Sequence, residues 1–157
     1  MSEILIIAAV SKNNVIGKDG KIPWHIKEDF ARFKQLTLNC PVIMGRRTLE
    51  SLPIKPLPKR TNIVLTRQKD FQLDGVIVKG SLEEALNYCK DFEKVFIIGG
   101  QKVFEEGMKF AHKLEITRVE KEVEGDTFFP EIKKEEWEME KEETGNGYSF
   151  QTYKRKI

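Results

Sequence analysis

Apolar residues gather in short runs along this chain: Ile4–Val10, Pro41–Met44, Asn62–Leu65, Val76–Val78, Val95–Ile98 and Leu114–Val119. Each run has the length of a strand. The runs are too continuous for a sheet with one wet face, so they predict strands buried on both sides. Between them the period changes to that of a helix. Lys27–Leu38 carries Phe30, Phe33, Leu36 and Leu38 near helical spacing. Ser81-Leu-Glu-Glu84 reads as a capping box, and Leu82, Ala85, Leu86 and Cys89 form the inward stripe behind it. Gln101–Met108 predicts a further helix with Val103 and Phe104 pointing in. Strands alternating with helices imply a largely parallel α/β sheet with right-handed crossovers. The last segment differs. Trp137 and Met139 alternate with charged residues, Thr144–Gly147 is a turn, and Tyr148–Lys156 puts Tyr148 and Phe150 on one face. That pattern predicts an antiparallel hairpin and hence a mixed sheet.

Composition narrows the class. At 157 residues the chain suits one domain, 1–157, with a core that needs no disulfide or metal. Lys+Arg is 27 and Asp+Glu is 25, a net charge of +2, which argues against a dedicated nucleic-acid binder. No apolar run approaches the roughly 20 residues of a membrane helix. Met1-Ser2-Glu3 leads into a strand with no basic region or cleavage site, so no signal peptide is expected and the expected location is the cytoplasm. Cys40 and Cys89 lack CxxC spacing and read as ordinary reduced thiols near the core. His25 and His112 lack the companions of a zinc site, and no metal is expected.

Six segments carry candidate chemistry. Ser11–Trp24 follows neither a strand nor a helix pattern. It holds Gly17, Gly20 and Pro23, yet Val15, Ile16, Ile22 and Trp24 are too apolar for a plain surface loop, which suggests a lid that excludes water. Glu28 and Asp29 both lie in a first helical turn, where backbone amides favour any acid. Asp29, however, shares the face of Phe33, while Glu28 lies off it. A carboxylate on an apolar face is costly without a partner, and an amidine-like ligand edge with two parallel donors would supply one. Pro41–Thr48 runs from a buried strand through Gly45 into Arg46, Arg47 and Thr48, an arrangement that suits phosphate. Val95–Phe104 runs from a strand through Gly99-Gly100 into a helix, allowing close backbone approach to a ligand without the GxGxxG fingerprint. Arg60 follows the stiff Pro53, Pro56 and Pro58, a good place for a carboxylate clamp, and Thr66-Arg67 offers another phosphate site. Taken singly, each also reads as ordinary surface.

In order and spacing these segments resemble the dihydrofolate reductase family from about Ile4 to the C-terminus. The carrying motifs are Val15-Ile-Gly17, Ile22-Pro-Trp24, Asp29 to Phe33-Lys34, Val42-Ile-Met-Gly-Arg46, Leu57-Pro58 to Arg60, Ile98-Gly-Gly100 and Glu124–Pro130. The resemblance implies a single α/β domain with a mixed, mostly parallel eight-stranded sheet, helices on both faces and an antiparallel C-terminal hairpin. It implies hydride transfer from NADPH to C6 of dihydrofolate with protonation at N5, in support of one-carbon, thymidylate and purine synthesis. It implies a monomer without nucleic-acid or membrane partners. The catalytic set would be Asp29, Trp24, Ile22 and Thr117. Asp29 would grip N3 and the 2-amino group and share a hydrogen bond with Thr117. Trp24 would help hold an ordered water, and Ile22 would be the tip of the mobile loop over the nicotinamide. Ile7, Ala9, Phe30, Phe33, Leu52, Leu57 and Ile98 would line the substrate. Arg60 would clamp its α-carboxylate, with Lys34 and Lys55 near the tail. For the cofactor, Ala9, Ile16, Gly17, Lys18, Asp19, Gly20 and Lys21 would face the nicotinamide and ribose. Gly45, Arg46, Arg47, Thr48, Leu65, Thr66, Arg67 and Lys79 would surround phosphates and adenosine, while Gly99, Gly100, Gln101, Lys102, Val103 and Phe104 would cradle the pyrophosphate.

The chain departs from the family pattern at Lys27, where proline is common, at Phe104, often Tyr, and at Arg47, often His. Leu52–Pro56 is one residue longer. Burial should raise the pKa of Asp29, so the hydride rate should fall as pH rises. Two other readings stand beside this one. A reductase of the same fold acting on a ribosylated pyrimidine should lack the Trp24–Asp29 pairing and Arg60. A nucleotide-binding protein without activity would have no use for Asp29.

Overall fold

A computed structural model describes residues 2–68 and 70–156, so Met1 lies outside the described residues. The strands are β1 (Glu3–Ser11), β2 (Val15–Gly17), β3 (Pro41–Gly45), β4 (Thr61–Leu65), β5 (Val76–Lys79), β6 (Lys94–Gly99), β7 (Lys113–Val119), β8 (Thr127–Phe128), β9 (Trp137–Thr144) and β10 (Tyr148–Arg155). The helices are α1 (Lys27–Thr37), α2 (Arg46–Ser51), α3 (Leu82–Tyr88) and α4 (Gln101–Gly107). Eight strands form one sheet in the order β5-β4-β3-β6-β1-β7-β10-β9. The pairings from β5 to β7 are parallel, and β10 runs antiparallel to both β7 and β9. The mixed sheet and the C-terminal hairpin are therefore as the sequence pattern implies.

Every central strand is apolar on both sides because each side meets a helix layer. Ile6, Ile43, Ile63, Ile97 and Leu114 face α3 and α4, where Leu82, Ala85, Val103 and Phe104 complete one core. Leu5, Ile7, Val42, Met44, Val64 and Phe96 face α1 and α2, where Phe33, Leu36 and Leu49 complete the other. Ile6, Ile43 and Ile97 are fully buried. Burial of such a side chain contributes roughly 1.5–3 kcal/mol. Cys89 sits in the first core, and its thiol is pushed up to about 11 by burial, so it is inert at neutral pH. No helix among the described residues is long and apolar enough to cross a membrane.

Helix ends differ slightly from the pattern. The Ser81 hydroxyl accepts from the Glu84 amide as a capping box requires, but the Glu84 carboxylate reaches back to the Gly80 amide, one residue earlier. Cys89 caps α3 rather than belonging to it. The larger difference is the Ser11–Trp24 segment, which is not wholly irregular. Val15–Gly17 pairs antiparallel with β8, and Lys18 bridges Lys21 across a turn in which Asp19 and Gly20 both have positive φ. The partner strand lies over a hundred residues away, so local periodicity carries no trace of it. In the hairpin, Trp137 is buried while Met139, two residues on, is exposed, and the β9–β10 register shifts just beyond it at Thr152/Tyr153.

The topology opens a crevice. β1 and β6 pair only from Glu3↔Lys94 to Ile6↔Ile97. Beyond that, β1 continues along β7, and β6 continues along β3 to Met44↔Gly99. The chain leaving β1 reaches α1 on one face, whereas the chain leaving β6 enters α4 on the other. Neighbouring strands whose connections diverge to opposite faces leave a cleft at their carboxyl ends, the usual ligand position in such sheets.

Candidate active site

Asp29 stands on one wall of this crevice. Its helix, α1, has no side-chain cap, and Glu28 and Asp29 supply the acids of its first turn. Glu28 is exposed, while Asp29 is partly covered and receives a hydrogen bond from the Thr117 hydroxyl to its Oδ1. Thr117 belongs to β7, directly opposite Ala9 of β1. Burial pushes the Asp29 carboxyl above its ordinary range, and the Thr117 hydrogen bond and the charge of Arg32 pull it partly back. The geometry thus yields a carboxyl group whose second oxygen can meet a ligand in a site of reduced polarity.

Ile7, Phe33, Leu52, Leu57 and Ile98 share one cluster next to Asp29's helix. Trp24 is partly buried, whereas Ile22 and Phe30 are 53% and 47% exposed. Large apolar residues left so open at a cleft are available to a ligand. At the far end, Arg60 donates from Nε to the Pro58 carbonyl (2.9 Å) and from Nη1 to Thr37 Oγ1 (3.2 Å). These bonds fix the guanidinium plane and use two of its five donors. Lys34 is exposed, and Lys55 donates to the carbonyl of Glu50 (2.9 Å), closing the end of α2.

One organiser escaped sequence reasoning. Asn62 is 1% exposed within β4, and its amide accepts from Leu57 N and donates to the carbonyls of Leu57 and Arg60. A single side chain therefore folds the proline-rich loop and places both Leu57 and Arg60. The available signal was an Asn inside an otherwise apolar strand, where a polar group needs partners.

The cofactor candidates lie along the carboxyl ends of consecutive strands, through the registers Met44↔Gly99, Gly45↔Leu65 and Leu65↔Lys79. The Gly99–Gly100 peptide is cis, and Gly99 has φ +131°. A Cβ on Gly99 would lie 3.4 Å from the Phe104 ring and 3.6 Å from Thr48 Oγ1, so the starts of α2 and α4 abut across this glycine pair. Val103 and Phe104 are buried, and Lys102 and Arg47 are exposed. The Arg46 guanidinium lies over Phe71 (4.7 Å) and meets Glu50 at 3.3 Å. A cavity of about 490 Å³ is lined by Thr66, Arg67, Gln68, Val78, Lys79, Gly80 and Glu84. Another of about 510 Å³ lies at the opposite, amino ends of β1 and β6, beside Ile4, Val95 and His112, away from all of these residues.

The lid is held down at its base. The Asp19 amide donates to Asp126 Oδ2 (2.9 Å), Lys18 meets Glu124 at 3.5 Å, and the Phe128 amide donates to Gln101 Oε1 (2.8 Å). The last bond joins the start of α4 to the strand that pairs with the lid. Ile16 to Lys21 and Gln101 to Phe104 are thereby brought to one region.

Comparison with known proteins places the chain in a family. Residues 3–155 match the family model described as dihydrofolate reductase. The chain is 51% identical over 138 residues to dihydrofolate reductase of Haemophilus influenzae, covering 88% of this chain and 85% of that one. It is 48% identical to the Neisseria gonorrhoeae protein of the same name, with 98% of each covered. Among solved structures it is similar to dihydrofolate reductase from Enterococcus faecalis complexed with NADP(H) and RAB-propyl. The TM-score is 0.90 at 38% identity, over 99% of this chain and 97% of that one.

Proposed function

Because the chain belongs to the dihydrofolate reductase family, we propose that it reduces 7,8-dihydrofolate to 5,6,7,8-tetrahydrofolate with NADPH. The observation that carries the reading is the half-buried acid on the crevice wall, Asp29, bound by Thr117 and walled by apolar residues. The pteridine presents an amidine-like edge, N3 and the 2-amino group, that such a carboxyl can hold with two parallel hydrogen bonds. Thr117 occupies Oδ1 and orients the group, Phe33 and Leu57 cover the ring system, and Arg60 meets the α-carboxylate of the tail.

The residues present fit the cofactor. Glycines at 99 and 100 allow a pyrophosphate close to the backbone, and Thr66, Arg67 and Lys79 around one cavity suit a further phosphate. When bound, NADPH supplies the hydride. The chain's own contribution is to align the acceptor ring, gate the access of water with Ile22 and Trp24, and favour protonation of N5. Asp29 anchors the ring, and a water admitted past Ile22 and Trp24 brings the proton. Arg60, Leu57 and Asp29 support this substrate over a ribosylated pyrimidine, which carries no distant carboxylate.

On this reading the protein is a monomeric, cytoplasmic enzyme whose product supplies one-carbon, thymidylate and purine synthesis. NADPH oxidation on adding dihydrofolate, blocked by methotrexate or trimethoprim, tests the reaction. Asp29→Asn should keep fold and NADPH affinity while losing about 100-fold or more in turnover. Near-parental turnover at neutral pH would overturn the role of Asp29.

A further inference from the structure

α1 meets the sheet through two polar rungs, and only one of them is Asp29–Thr117. One helical turn on, Arg32 Nη2 donates to Glu115 Oε1 at 2.9 Å. Glu115 and Thr117 are two apart on β7 and face the same side. The antiparallel register places Thr152 opposite Glu115 and Phe150 opposite Thr117. Thr152 Oγ1 donates to the same Glu115 oxygen at 2.6 Å, and the Arg32 guanidinium stacks 4.5 Å over the Phe150 ring. Four residues of β7 and β10 thus form a patch that accepts Asp29 and Arg32 together. The spacing suits them: three helical residues rise about 4.5 Å and two strand residues about 6.6 Å, a difference that a long arginine spans.

We propose that Arg32, fixed by Glu115, Thr152 and Phe150, is a positioning residue that holds α1, and with it Asp29, in register over β7. The inference rests on the role given to Asp29 above. The Arg32 and Glu115 side chains are only 19% and 13% exposed. A pair this covered adds little net stability, because desolvation offsets its attraction, so its value is geometric and electrostatic. The charged and titratable groups around Asp29 are Glu28 and Arg32 of α1, Glu115 of β7 and Tyr148 of β10, with Lys141 and Glu143 of the edge strand β9 opposite Thr152 and Phe150 in register. Among them Arg32 is the cation that lowers the Asp29 pKa against the effect of burial.

The signs are opposite for the two partners. Arg32→Gln removes the cation and leaves Glu115 unopposed, so Asp29 keeps its proton to higher pH. Glu115→Gln removes the opposing anion, so Asp29 loses its proton at lower pH. The test is the pH dependence of the single-turnover hydride rate. Arg32→Gln should move its fall to higher pH and Glu115→Gln to lower pH, each by about half a unit, as for charges about 6 Å apart at high dielectric. The double variant should return toward the parent, and Arg32→Lys should restore the parental profile. If Arg32→Gln does not fold, Glu115→Gln and Arg32→Lys decide the matter. Superimposable profiles, with both rates merely reduced, would overturn the inference while leaving Asp29 in place. Normal turnover of Asp29→Asn would overturn the underlying assignment instead.

Discussion

Asp29 is an acid placed where its charge is disfavoured, and this has consequences for both rate and stability. Its folded pKa lies above the unfolded value, mainly through burial. The folded state therefore holds the proton more tightly, and the stability this contributes is present at low pH and lost as pH rises through the folded pKa. Asp29→Asn should accordingly be more stable than the parent at neutral pH, with the gap closing below the ordinary Asp range. Parallel denaturant titrations across pH would show it; a constant gap would contradict it. Thr117→Val removes the donor to Oδ1 at a cost of about 0.5–1.5 kcal/mol. It should also shift the fall in hydride rate to higher pH, which a pH–rate series reads directly.

Between elements, small groups set large geometries. A Cβ on Gly125 would lie 2.2 Å from Val15 Cγ1 and 2.7 Å from the Gly17 carbonyl. Gly125→Ala should therefore part β2 from β8 and loosen the lid. Turnover should drop with little change in melting temperature, and hydrogen exchange should rise in residues 15–21 first. Asn62→Ala should act differently. It strands a backbone amide and two carbonyls around Leu57 and Arg60, costing about 1–3 kcal/mol. The KM for dihydrofolate should rise more than kcat falls, as Arg60 loses its placement. The helices and parallel strands were legible because their apolar periods are local. The β2–β8 pair and the Asn62 clasp were not, since each depends on a partner remote in sequence or on loop geometry that no period encodes.

For the molecule as a whole, the cleft joins two helix layers through one sheet, so ligands that fill it should be linked to global stability. NADPH at 100 times its dissociation constant should add about 2.7 kcal/mol to unfolding, visible as a concentration-dependent rise in melting temperature. NADH at equal concentration should do less if Arg67 and Lys79 receive a phosphate, and equal effects would remove them from the cofactor site.

The amino-acid order alone determined the strands of the main sheet, the helices between them, the antiparallel ending and the family, because these reside in local hydrophobic periods and short motifs. It also marked Asp29, since an acid on an apolar stripe is unusual wherever it stands. The family resemblance paired that acid with Thr117, but only the tertiary structure decided how the pair is built and added Arg32 and Glu115 beside it. Thr117 lies 88 residues from Asp29, and Glu115 lies 83 from Arg32. Contacts over such separations depend on strand order and register, which put β7 beneath α1, and no local pattern of the chain records them.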